Sequence, residues 1–425
     1  MPTESLALLA YRCATSALTP AVPLLLRERV LRGKEDRGRI RERLGFASRS
    51  RPDGQLIWIH GASVGECTSV LPLIDALLNG ADRHVLMTSG TTTSAKLMEE
   101  RLPHRALHQF APLDTPAGIR RFLDHWRPNV GLFVDSEIWP NMVLGAAARN
   151  IPLALINGRM SERSFNGWRR TPKMATALLA NYRICLVQNA EGAERLRLLG
   201  AHNVQVSGNL KADAPPLPVD AEELAQMQRA TNGRPILLAA SSHPGEEETL
   251  LPAHDSLKRR LPNLLSIIVP RHPARGGDIA MLCGGRSVAQ RSHRALPASE
   301  TEVYVADTMG ELGLFYRLAP CAFVGGSLVP HGGQNPLEAA RLGRAVLAGP
   351  HTSNFTAEYA RIFEAQGAGR VTSAGDIARL AGEWITQPET VEKISLAAAE
   401  AATSLAGATE ITQQATEALL ADARA

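Results

Sequence analysis

Along the chain, short apolar runs of strand length alternate with stretches whose apolar residues recur at helical spacing. From about residue 54 the runs read LIWIHG, HVLMTSG, NVGLFVDSEIW, IPLALINGR, ICLVQNA and VQVSGNL. Helical patterns stand between them: one from about Gly65 through Leu77 and Leu78, another in TTTSAKLMEERL, whose leading Ser/Thr residues can cap it. Strands separated by helices imply a parallel, doubly wound sheet. The texture changes at DAPPLPVDAEE, where Pro215, Pro216 and Pro218 break regular structure. A second alternation follows: PILLAASS, LLSIIVPRH, SVAQRS, EVYVADT, CAFVGGS, AVLAGPH and GAGRVT. The tail from about Val391 is Ala/Glu-rich and helical. The expected architecture is α/β, with two Rossmann-like doubly wound lobes facing a cleft. Residues 31–212 form the first lobe, residues 213–425 the second, and residues 1–30 a separate N-terminal segment.

That segment has its own pattern. Residues 5–25, SLALLAYRCATSALTPAVPLL, are apolar but interrupted by Arg12 and Pro20, and RERVLRGKEDRGRIRERLGFASRSR follows at once. A spanning helix wants about 20 clean apolar residues. A secretory signal carries its positive charges before the apolar run, whereas here they come after it. The segment reads as an uncleaved membrane anchor or an interfacial helix, with its basic flank on the cytoplasmic side beside anionic lipid head groups. A buried N-terminal helix of a soluble protein is the alternative.

Composition narrows the function classes. The chain has 425 residues, room for two or three domains, and only 4% aromatics. Its cysteines, at 13, 67, 185, 283 and 321, form no CxxC pair. A zinc site or a disulfide framework is therefore not expected, and a reducing compartment is. The net charge of +4 is mild, and no long basic stripe or stacking platform suits nucleic acid.

In open α/β sheets, ligands sit at the carboxyl ends of the strands. In the first lobe, HGASVGE puts Glu66 at a strand-to-helix turn, as a helix cap or as a base. In the second, VPRHPAR supplies Pro270, Arg271 and His272, with Arg275 close by, as phosphate donors. In ADTMGELGLFY, Asp307 and Thr308 can cap a helix whose amides, near Met309, Gly310 and Glu311, meet a base or a phosphate. In FVGGSLVPHGGQNPLEAARLGRAVLAGP, Gly325 and Gly326 allow close backbone approach. There Asn335, Pro336 and Leu337 open a helix in which Glu338 can accept from two ribose hydroxyls, or merely cap. No G-x-G-x-x-G follows the first strand and no G-x-x-x-x-G-K-[ST] occurs, which argues against NAD enzymes and P-loop ATPases. A sugar nucleotide is the natural ligand.

The glycine-rich loop and N-P-L-E of the second lobe resemble the GT-B glycosyltransferases. GASVGE, DSEIWPN, NGRMSERSF, GNLK, PRHP, MGE and GGxxxxHGGQNPLE occur in this order from residue 61 to 338. With the N-terminal segment they resemble the bacterial 3-deoxy-D-manno-octulosonic acid (Kdo) transferases. The resemblance implies transfer of Kdo from CMP-Kdo to a lipid A precursor with inversion at the anomeric carbon. It also implies a place at the cytoplasmic face of the inner membrane, and no resident cofactor or metal. An inverting transfer needs a base, a role the resemblance puts on Glu66. It implies that Lys211 offsets charge on the leaving CMP phosphate, where a plain salt bridge is the alternative. Glu137 would stabilise positive character at the anomeric carbon, or else anchor Trp139. The family's first acidic residue in DSEIWPN is a Glu, here the shorter Asp135; Gly158 and Met160 are milder departures. Asn157 and Arg159 would hold the acceptor, and the basic loop SERSFNGWRRTPK its phosphates. A sugar-nucleotide epimerase would have no use for the anchor. A non-catalytic nucleotide-binding protein would not need Glu66, Lys211, Arg271 and Glu338 together.

Overall fold

The computed structural model describes residues 5–80 and 82–422. The first sheet contains β1 (Gln55–His60), β2 (Arg83–Ser89), β3 (Ala106–Phe110), β4 (Val130–Val134), β5 (Leu153–Gly158), β6 (Tyr182–Val187) and β7 (Val204–Val206). Their order is β3-β2-β1-β4-β5-β6-β7. The second contains β8 (Ile236–Ser242), β9 (Leu265–Pro270), β10 (Val288–Gln290), β11 (Val303–Val305), β12 (Cys321–Val324), β13 (Ala345–Ala348) and β14 (Ala368–Arg370). Its order is β10-β11-β9-β8-β12-β13-β14. Every pairing is parallel. The chain crosses from one half of each sheet to the other between β1 and β4 and between β8 and β12. These crossings are the switch points where doubly wound sheets bind ligands.

The apolar runs are continuous because both faces of each sheet are covered. In β1, Leu56 and Trp58 point into a cluster with Phe122, Leu123 and Phe133, while Ile57 and Ile59 join Leu73, Ile74 and Leu77 on the other face. Trp58 meets Phe122 and Phe133 at ring-centroid distances of 5.1 and 5.0 Å. β3 has no counterpart among the expected strands. Its buried half carries His108 and Gln109, which interrupt an apolar run. Ser89 Oγ lies 2.9 Å from His108 Nε2, and Trp126 Nε1–H donates to Gln109 Oε1 at 2.8 Å, while Gln109 Nε2 stays buried without a hydrogen-bond partner.

The chain divides after Ala214 into two units, and its tail departs from the expected second lobe. The helix Pro388–Ser404 stays with the second unit, but Ala408–Asp422 returns to the first. Asp213 accepts the N–H groups of Gly407 and Thr409 at the start of that helix. Ala408, Leu419 and Leu420 bury with Leu73 and Leu77, and Arg83 pairs with Glu417 at 2.7 Å.

At the N-terminus, helices Leu6–Leu18 and Val22–Leu31 form one run of 26 residues, long and apolar enough by length and composition to cross a membrane. Its most apolar window is only 6% buried, so it is not a core helix. Leu6, Leu9, Leu18, Leu24, Leu25 and Leu31 are exposed. One side docks: Tyr11 donates to Asp114 Oδ2 at 2.9 Å, and Asn141 Nδ2 donates to Thr15 Oγ1 at 3.1 Å. The basic flank is less free than its sequence suggests. Arg29 and Arg43 share the buried Glu35, Arg32 pairs with Glu28, and Arg39 pairs with Glu42 and Glu99.

Candidate active site

In the first unit, β1 ends at His60 and the turn Gly61-Ala62-Ser63 leads into the helix Val64–Ser69. Ser63 is its N-cap and accepts the Glu66 N–H at 3.3 Å. Glu66 reaches back: Ala62 N–H donates to Oε2 at 2.7 Å and the Ser63 hydroxyl to Oε1 at 2.7 Å. Glu66 therefore does cap the turn, but it is only half-buried, and each oxygen keeps an unused lone pair for a substrate hydroxyl. A side chain at Gly61 would crowd the glutamate, because a Cβ would lie 3.1 Å from Glu66 Cβ.

Two other strand ends bring charge to the same turn. Asp135 follows β4 in the left-handed region, at φ 62°. Its N–H donates to Ile156 O at 3.0 Å and its carbonyl accepts from Arg159 N–H, which fixes the loop onto β5. Burial, then the neighbouring Glu66, push the Asp135 carboxyl up to about 6, with Arg159 and Lys211 opposing. A Cβ on Gly65 would stand 4.0 Å from Lys211 Nζ, so the lysine reaches the Glu66 turn. Asn157, buried and at φ 51°, positions that lysine: its Oδ1 accepts the Leu210 N–H at 3.0 Å. Glu66, Asp135 and Lys211 are thus within electrostatic reach of one another, and Asn157 serves the scaffold.

Glu137 stands beside this group. Burial would raise its pKa, but the His60 contact and the Trp139 indole N–H more than offset burial and hold the carboxyl below its usual range. His60 Nε2 is 3.5 Å from Glu137 Oε2, and Trp139 Nε1–H donates to the same oxygen. His60, Ala62, Asp114, Glu137 and the half-exposed Trp139 line a pocket of about 120 Å³.

In the second unit the strand ends behave differently from expectation. Arg271 and His272 follow β9 and are exposed, but Arg275 is spent on the buried Glu247, at 2.8 and 3.0 Å. Asp307 caps no helix; it accepts from Gln290 Nε2 at 2.6 Å and from the Ser292 N–H and hydroxyl. The helix after it begins at Leu312, and Glu311 pairs with Arg291, leaving Met309 and Gly310 exposed. Gly325 is dictated by the protein itself, since a Cβ would lie 2.3 Å from Ser241 O. The amides of Gly326, Ser327 and Leu328 are not open to a phosphate: Glu246 Oε2 accepts the first at 2.8 Å, and Oε1 accepts the other two at 3.0 Å each.

Gly332 and Gly333, at φ 87° and 78°, turn the chain so that Asn335 and Pro336 open the short helix Leu337–Ala340. Asn335 Oδ1 accepts the Leu337 N–H at 3.1 Å, and Glu338, half-buried, is pushed up to about 7 by burial, against Arg341 and Arg271. One group was missed altogether. His243, directly after β8, stacks on His331 at 4.4 Å, lies 6.4 Å from His272, and sits 3.0 Å from Gln334 Nε2. Burial first, then the nearby His331, His272, Arg271 and Arg275, lower it to about 4, so it is neutral at physiological pH. Its sequence signal was position: it follows the first strand of its sheet, as HGASVGE does in the other.

Two Rossmann-like units, each with its candidate ligand groups at a switch point, define a GT-B class of fold. The known structure of UDP-GlcNAc 2-epimerase from Neisseria meningitidis shares that fold, with a TM-score of 0.57 at 18% identity over 84% of this chain and 98% of that one. The family model described as 3-Deoxy-D-manno-octulosonic-acid transferase (kdotransferase) matches residues 38–214. The 3-deoxy-D-manno-octulosonic acid transferase of Rickettsia bellii is 33% identical over 381 residues, 89% of this chain and 90% of that protein. The Haemophilus influenzae transferase of the same name is 35% identical over 80% of this chain and 81% of its own. The chain belongs to the 3-deoxy-D-manno-octulosonic acid transferase family, and it is a glycosyltransferase.

Proposed function

We propose that this transferase moves Kdo from CMP-Kdo to a lipid A precursor, with inversion at the anomeric carbon, on the cytoplasmic side of the inner membrane. The observation that carries the reading is the placement of Glu66, with Asp135 and Lys211 beside it, at the switch point of the first sheet. Glu66 takes the proton of the acceptor hydroxyl as its oxygen bonds to the anomeric carbon. The bond from that carbon to the phosphate oxygen breaks, and CMP leaves with the electron pair. A base of this kind contributes roughly 10²–10⁴-fold. Glu137, kept ionised, offsets positive character at the anomeric carbon, and Lys211 offsets the charge growing on the phosphate. These side chains run the chemistry without a resident cofactor or metal. The second unit holds CMP: Arg271 and His272 meet phosphate, and Glu338 meets ribose.

The exposed leucines of the N-terminal helices favour contact with inner-membrane lipids over contact with nucleic acid. The likeness to the epimerase supports the fold alone. Purified protein is mixed with freshly made CMP-Kdo and a tetraacylated lipid A precursor, and products are read by mass spectrometry. A gain of one or more Kdo units is expected and gives the count. Absence of product, with CMP still bound in a separate titration, would sink the proposed donor or acceptor.

A further inference from the structure

The last residue of β1 is a buried histidine that the mechanism above does not use. His60 is 2% exposed, and its two ring nitrogens face different partners. Nδ1 lies 3.0 Å from Thr88 Oγ1, which also accepts the Trp58 indole N–H at 2.9 Å. Nε2 lies 3.5 Å from Glu137 Oε2, within ion-pair distance, and makes no hydrogen bond of its own. The tautomer follows from this pattern. A bare Nε2 would set a lone pair against a carboxylate in a buried site. Thr88 Oγ1 lies 3.3 Å from Ile59 O as well as 3.0 Å from Nδ1; when its hydroxyl donates to the nearer Nδ1, Nε2 carries the proton, on the side of Glu137. The order is Trp58 indole N–H to Thr88, Thr88 hydroxyl to His60, His60 Nε2–H toward Glu137. On its other side Glu137 receives the Trp139 N–H. His60, Glu137 and Trp139 line the same small pocket next to the Glu66 turn.

We propose that His60 is a positioning residue, which orients the Glu137 carboxylate and holds it ionised facing that pocket. This inference rests on the role given to Glu137 above. Trp58 and Thr88, both wholly buried, lock the ring from behind, so the sheet core sets where the carboxylate points.

The test compares two conservative variants and one coupled pair in the full-length protein, with the Kdo transfer assay as readout. An asparagine amide reaches the place of Nδ1, whereas a glutamine amide reaches that of Nε2. If His60 acts on Glu137, His60→Leu lowers kcat about 10-fold or more, the scale seen for outer-shell partners of functional ligands. His60→Gln then regains more of kcat than His60→Asn, while KM for the donor and CMP binding stay near wild type. His60→Leu adds little to Glu137→Gln, because the two act as one unit. If His60→Asn is the better variant, or if the losses multiply in the double variant, His60 serves only the fold around Thr88 and the inference fails. A fully active Glu137→Gln would overturn the Glu137 assignment itself, and this inference with it. Should His60→Leu not fold, the Gln and Asn variants alone decide.

Discussion

Both sheets put a carboxylate just beyond the first strand, at the switch point, and the two carboxylates have opposite fates. Glu66, six residues beyond His60, accepts one N–H and one hydroxyl, stays half-buried, and lies near a lysine and a second carboxylate. Glu246, four residues beyond Ser242, is wholly buried and accepts N–H groups from His243, Gly326, Ser327 and Leu328. The same topology therefore leaves an accessible carboxylate in one unit and ties a structural knot in the other. The difference is coordination: a carboxylate whose two oxygens each accept two backbone amides has no lone pair left to offer a substrate. In the second unit the groups left around the knot for the proposed ligand are His243, His331, Arg271 and Glu338.

The sharpest way to break this contrast is to change both carboxylates. Glu66→Gln should lower kcat by roughly 10²–10⁴, the range for loss of a general base, with CMP binding and melting temperature near wild type. Activity within a few-fold of wild type would remove Glu66 as the base. Glu246→Gln should do the reverse. Its amide cannot accept from all four N–H groups, and charge-assisted bonds are worth about 1.5–3 kcal/mol each. A loss of roughly 3 kcal/mol or more is expected, which for a unit of this size lowers the melting temperature by about 5–10 °C. A Glu246→Gln protein that melts like wild type would mean the knot is not holding the glycine loop.

How much of this was legible in the sequence differs between the units for a physical reason. Glu66, Asp135 and Lys211 stand at the ends of apolar runs, so the alternation alone put them at strand ends, and the structure brings them together. The knot of Glu246 was hidden because its partners are amides some 80 residues downstream, and a backbone amide leaves no mark in a sequence. Arg275 looked like a phosphate ligand because its partner, Glu247, is buried one residue past that knot. β3 escaped notice because His108 and Gln109 interrupt its apolar run. The return of the last helix depends on Asp213 capping it, a contact nearly 200 residues apart in the chain.

Glu338 sharpens the comparison from the ligand's side. Burial pushes its carboxyl up to about 7, and two ribose hydroxyls donate to it together most strongly when it is ionised and both oxygens accept. Affinity should therefore rise with pH as the proton leaves. Between about pH 6 and about pH 8 the gain is roughly tenfold for a group that must ionise to bind. Cytidine is the right probe, since without a phosphate it is indifferent to the charge of His272 and His331. Calorimetric titration should show this slope for wild type and a flat profile for Glu338→Gln. A flat wild-type profile would place the ribose elsewhere.

The smallest effect tests a third carboxylate, which combines features of the other two. Asp114 accepts the N–H groups of Asn141 and Met142 at 3.0 and 2.9 Å, as a structural knot does, yet it also lines the pocket beside Glu137. Its remaining donor is Tyr11, on the apolar N-terminal helix. With the Asn141–Thr15 hydrogen bond, that hydroxyl ties a helix suited to lipid to the segment that follows Glu137 and Trp139. Tyr11→Phe keeps the ring and removes one hydrogen bond to a charged group, worth about 1.5 kcal/mol at a partly exposed position. If Asp114 is only a knot, the first unit loses about that much stability by thermal melting and kcat is unchanged, because the two amides still hold the loop. If kcat falls further than the stability loss accounts for, the helix sets the geometry of the Glu137 loop. The site would then be complete only when the N-terminal helix is seated.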